Sequence, residues 1–102
     1  MGEELAFTWT EALSEPDVAR LAEEIRNDPA WKLLDQYVGM DNFRFRAGAF
    51  QPDGWPDFSV KLSEYQLYIL IIDVTQQERE YFLAAFALLL RREGIDFEFE
   101  DP

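Results

Sequence analysis

The hydrophobic pattern of this chain switches between a period of two and a helical period, and the switches outline its elements. Leu5, Phe7 and Trp9 alternate with Ala6, Thr8 and Thr10, as in a half-buried strand. Ser14-Glu15-Pro16-Asp17 has the form of a helix start. The Ser14 hydroxyl can accept from an orphan N–H, Asp17 can reach back, and Pro16 brings a helical φ. Val18, Leu21, Ala22 and Ile25 recur at helical spacing, with Glu15, Arg20, Glu23 and Glu24 largely off that face. Asn27-Asp28-Pro29 interrupts the helix, because a residue before proline is pushed out of the α region. With Asp28 as cap and Pro29 at the first position, Ala30, Leu33, Leu34, Tyr37 and Val38 predict a second helix stopped at Gly39. One kinked helix over 15–38 is the alternative.

From Asn42 the period returns to two, with Phe43 and Phe45 on one side and Arg44 and Arg46 on the other. Gln51 to Asp57 carries two prolines and a glycine and reads as a loop. Phe58, Val60 and Leu62 then share a face, but after Glu64 the parity shifts to Tyr65, Leu67, Ile69 and Ile71. A single strand over 58–72 would far exceed the usual ~5–6 residues, so a tight turn near Ser63–Gln66 is expected, with one long bulged strand as the alternative. Leu67 to Ile72 is apolar on both faces and predicts an interior strand covered twice. Thr75-Gln76-Gln77-Glu78 is a capping box opening a helix that runs to about Arg92 and stops at Gly94. Ile95, Phe97 and Phe99 alternate with Asp96, Glu98 and Glu100 in a last strand.

The resulting order is β-α-(α)-β-β-β-α-β. It describes a single α+β domain over 1–102, with two or three helices on one face of a mostly antiparallel sheet of four or five strands. If 58–72 were one strand, the order would be the ferredoxin-like β-α-β-β-α-β.

Charge changes the picture more than composition does. Hydrophobic residues make up 48 % of the chain, enough for a packed core. There are 21 acidic residues against 9 basic ones, a formal net charge of -12, with no histidine and no cysteine. The acids are unevenly placed. Residues 1–28 hold eight acids and two bases, and 95–102 hold four acids and no base, whereas 29–63 is balanced. The missing residue types remove thiol and imidazole chemistry, disulfides and most metal ligation. Ser14 and Thr75 are accounted for as helix caps, and no glycine-rich phosphate loop is present. An enzyme is therefore not expected, nor is a cofactor or a metal. The acidic Met1-Gly2-Glu3-Glu4 start is unlike a signal peptide, and the longest apolar run, Tyr81 to Leu90, is about half a ~20-residue membrane span. These features fit a cytoplasmic protein that binds neither membrane nor nucleic acid.

The candidate binding residues are acidic and aromatic. Asp96, Glu98 and Glu100 form a carboxylate row on the last strand, continued by Asp101. Such a row can steer a basic protein surface into place, or simply protect a sheet edge. Trp55 lies in the loop between Asp53 and Asp57, where an aromatic flanked by acids suits an interface anchor. Arg44 and Arg46, joined by Lys61, are the basic set that could hold an anion, against the overall field. The Tyr81–Leu90 helix is apolar nearly all round and could pack within the core or against a second copy. In size, acidity and lack of catalytic residues the chain resembles immunity-type inhibitors, which neutralise a basic toxin or nuclease by charge complementarity. That resemblance is one of general character. The expected function is binding of a basic protein. The alternatives are a module holding a small apolar ligand between sheet and helix, or a subunit dimerising through its C-terminal helix.

Overall fold

A computed structural model describes residues 2–37, 39–46 and 55–101. The elements in chain order are β1 (Glu3–Thr8), α1 (Glu15–Arg26), β2 (Trp31–Tyr37), β3 (Met40–Phe45), β4 (Phe58–Leu62), β5 (Gln66–Ile71), α2 (Gln76–Arg92) and β6 (Glu98–Glu100). All six strands join one sheet in the order β2-β3-β4-β5-β1-β6, and every pairing is antiparallel. The α+β class follows from the sequence pattern. No helix among the described residues is long and apolar enough to cross a membrane.

The helices form where the sequence caps them. Ser14 Oγ accepts from Asp17 N to open α1, with proline in the first turn. In α2 the Thr75 and Glu78 side chains accept each other's backbone N–H, and Gly94 takes φ +74 just past the end. Both helices lie on the same side of the sheet. Leu5 and Phe7 of β1, Leu67, Ile69 and Ile71 of β5, Phe58 and Val60 of β4, and Phe43 and Phe45 of β3 are buried beneath Leu21, Ile25, Phe82, Phe86 and Leu90. Trp31 is the centre of this core. It is 1 % exposed, its ring centroid lies 5.3 Å from Phe58 and 5.9 Å from Phe45, and its Nε1 donates to Ile25 O at 2.8 Å. Removing such a ring typically costs ~3–5 kcal/mol.

The expected helix from Pro29, and the kinked-helix alternative, are corrected: residues 31–37 are strand β2. Asp28 Oδ1 accepts from Ala30 N in a local turn, and the chain then pairs with β3 from Trp31 onward. Gly39, at φ +75, serves the turn between β2 and β3 rather than a helix end. The tight turn at Ser63–Gln66 is present, so β4 and β5 form a hairpin and the ferredoxin-like alternative does not apply. β5 is interior to the sheet but covered on one face only: Leu67, Ile69 and Ile71 are buried, while Tyr68 and Leu70 are half-buried on the open face. The last strand is shorter than its alternation implies, beginning at Glu98. In α2, Phe82, Phe86, Leu89 and Leu90 are buried, and Tyr81, Ala84 and Leu88 are exposed along the Tyr81–Leu90 stretch.

Candidate protein-binding surface

Both ends of the chain reach the same edge of the sheet. β1 pairs with β6, placing Ala6 opposite Glu100, Phe7 opposite Phe99 and Thr8 opposite Glu98. Part of the charge held in two distant stretches of sequence, Glu3 and Glu4 from one and Glu98 and Glu100 from the other, is brought side by side there. Alternation turns Glu98 and Glu100 to the open face and Phe99 toward the helices, where its ring lies 5.0 Å from Phe7. Phe97 meets Phe7 edge-on at 5.1 Å, and the Arg91 guanidinium sits 5.5 Å above Phe97. β6 is an edge strand, and its Glu-Phe-Glu sequence resists pairing with another sheet edge.

Acidic charge concentrates further at the end of the sheet where β1 exits and β6 enters. Trp9 organises this end. Its backbone N donates to Tyr65 O at 3.0 Å and its indole Nε1 to Glu64 O at 2.7 Å, and Leu13 N donates to the same Glu64 carbonyl at 3.0 Å. These bonds clamp the β4–β5 turn against the segment leading into α1. Glu64 is exposed at the tip of that turn, with the Tyr65 ring 52 % exposed beside it. Glu11 and Glu15 are exposed on the adjoining segment and helix start, and Asp96 and Glu98 line the surface beside Trp9 and Thr10. Among the described residues none of these five carboxylates takes part in an ion pair. The nearby Asp17 and Glu93 differ, since both accept from Arg20. Its hydrogen bonds hold their carboxyl groups below the ordinary range and raise the Arg20 guanidinium further above its own.

The residues singled out in the sequence fall in different places. Asp96 and Glu98 belong to this end, and Glu100 lies farther along the same edge. Asp101 is turned to the helix side, where Arg79 bridges it at 3.3 Å and Glu3 at 3.2 Å. Trp55 is 63 % exposed but sits beyond the opposite end of the strands. From Asp57 to Glu64 the chain runs seven residues, roughly 23 Å at strand rise. Asp57 is 4 % exposed and turned inward, so its carboxylate is not part of a docking surface. Asp53 lies outside the described residues, as do residues 51–54 of the loop expected from Gln51 to Asp57. The basic set is not gathered either. The Asn42–Ser59 pair stands between the positions of Arg44 and Lys61, Lys32 rather than Lys61 faces Arg44, and Arg46 lies past the strand end.

Comparisons with known proteins found no matching family model, no similar curated protein and no similar solved structure. What this surface can do follows from its side chains. Ionised carboxylates only accept hydrogen bonds, so the end offers acceptors to lysine and arginine donors. Tyr65 adds a rigid ring with a polar tip, the kind of group that anchors interfaces. Among the described residues no group of three or more carboxylates is arranged as a metal would require. Glu11, Glu15, Glu64 and Tyr65 are not among the binding residues that the sequence pattern suggests. The predicted turn at Ser63–Gln66 was a usable signal, because turn tips are exposed. Its position beside Asp96 depends on β5 and β6 both pairing with β1, and no local pattern carries that.

Proposed function

We propose that this is a non-catalytic, acidic protein-binding domain of the immunity type, acting in the cytoplasm on a basic toxin or nuclease. The observation that carries this reading is the end formed by Glu11, Glu15, Glu64, Asp96 and Glu98 around exposed Tyr65, whose carboxylates take no part in an ion pair among the described residues. A nuclease binds its substrate through lysine and arginine side chains placed for phosphates, and a fixed carboxylate array presents a competing set of acceptors. Its long-range field also accelerates encounter, which matters for an inhibitor that must act before damage is done. Tyr65, held in place by the clamp on its turn, supplies contact area that charge alone lacks.

The test is affinity capture from the native cell with two baits. One is the wild-type protein and the other carries Glu11→Gln, Glu64→Gln and Glu98→Gln. The wild type should retain a basic protein whose degradative activity it suppresses, and the neutralised bait should lose it. A partner retained equally by both baits, or one with no basic surface, contradicts the proposal.

A further inference from the structure

α1 does not cover all of the sheet beneath it. Facing β4 it presents Val18, Ala19 and Ala22, side chains too small to fill the space above Val60 and Leu62. An open groove of about 580 Å³ remains between helix and sheet, within the size range of binding pockets. Its two ends differ in charge. At one, Arg26 Nε donates to Asp41 Oδ2 at 2.9 Å and Arg26 also pairs with Glu23 at 3.3 Å, so cation and carboxylates neutralise one another. At the other, Glu15 and Glu64 flank the opening, and among the described residues neither joins an ion pair. Lys61 borders the groove, but strand alternation directs it to the open face of the sheet with its neighbour Tyr68. Glu15 and Glu64 are also members of the acidic end described above, so the groove opens onto that surface.

We infer that the groove receives a short extended segment of the protein partner, with apolar side chains over Val60 and Leu62 and a lysine or arginine at the Glu15–Glu64 mouth. The inference rests on the proposed function and specifies how the partner is held. The length fits: the twelve residues from Glu15 to Arg26 span roughly 16 Å at helical rise, which accommodates about four extended residues. Apolar side chains displace water from the groove, and the basic residue meets two carboxylates that join no ion pair among the described residues. The electrostatic end then governs encounter, while the groove governs residence.

The probe is the capped peptide acetyl-Leu-Ala-Leu-Lys-amide, titrated into the isotope-labelled full chain and followed in the backbone amide NMR spectrum. Shifts should concentrate on 18–26, 39–41 and 60–64. A peptide ending in Glu should bind about fivefold more weakly or worse at low salt, and the difference should shrink as salt rises. Ala22→Trp fills the groove, and Ala19→Trp does so from an exposed position; each should abolish the shifts while leaving the spectrum of β1 and β6 intact. Equal binding of the two peptides, shifts scattered over the surface, or unchanged binding by both tryptophan variants would overturn the inference. Concentration-dependent shifts at the same amides without peptide would assign the groove to a second copy and overturn it too. These outcomes are separable from the parent reading: charge-dependent capture of a basic protein with a silent groove removes the groove alone, and peptide binding without such capture removes the inhibitor reading.

Discussion

At the junction of β3 and β4, Asp57 Oδ2 accepts the Phe45 N–H at 2.9 Å, and the Asp57 carbonyl accepts from both Ile72 N and Asp73 N at 3.0 Å. Burial is the main influence on its carboxyl and pushes the pKa up, against the pull of the Phe45 hydrogen bond. An acid whose folded pKa lies above its unfolded value binds its proton more tightly in the native state. Its contribution to stability is present at acid pH and lost as pH rises through the folded pKa. Asp17 and Glu93, lowered by Arg20, act in the opposite sense: their contribution is present at neutral pH and lost on acidification. Asp57→Asn keeps an acceptor for Phe45 N but removes the titration. Its stability relative to wild type should therefore improve as pH rises from about 3 to 7 in urea unfolding. Asp57→Ala strands the Phe45 N–H as well and should cost about 1–3 kcal/mol relative to Asp57→Asn. A constant difference between Asp57→Asn and wild type across that range would contradict this account. In the sequence Asp57 is one more loop acid beside Trp55. Its inward placement needs the β3–β4 pairing, which nothing local encodes.

The Thr75–Glu78 capping box satisfies two backbone N–H groups at the start of α2, with distances of 2.9 and 3.1 Å. Thr75→Ala should lower the unfolding free energy by about 1 kcal/mol, measured in urea, because α2 carries Phe82 and Phe86 into the aromatic core and cannot fray without exposing them. An unchanged midpoint would mean the cap is redundant. This helix is legible in the sequence because its start signal, its stop signal and its apolar face are all local. β2 is not, and the cause is specific. Trp31 and Leu33 begin an alternating pattern, but the register with β3 shifts between Leu33 and Asp35. The bulge breaks the period of two, and the remaining apolar residues, Ala30, Leu33, Leu34 and Tyr37, fall at helical spacing. Pairing with β3, supported by the positive-φ turn at Gly39, overrides that spacing.

Over the whole molecule, strand order determines what the charge does. A sheet ordered β2-β3-β4-β5-β1-β6 places Arg44 and Lys32 far from the acidic end, and sets the first and last strands side by side. That the two ends of the chain are acidic was plain in the sequence. That Glu11, Glu15 and Glu64 join Asp96 and Glu98 around Tyr65, while Trp55 stands at the far end, depends on long-range pairing. The position of these carboxylates can thus be set against their total number. The decisive measurement is the association rate constant with the captured basic partner, by stopped flow at about 20 and 200 mM salt. Three proteins are compared: wild type, the end variant with Glu11→Gln, Glu64→Gln and Glu98→Gln, and a control with Asp35→Asn, Asp73→Asn and Glu80→Gln. The last two carry equal net charge. The end variant should associate about tenfold more slowly than wild type at low salt with a flattened salt dependence, and the control should lose no more than about twofold. Equal losses in both variants would contradict a docking site at this end and leave only a generally acidic surface.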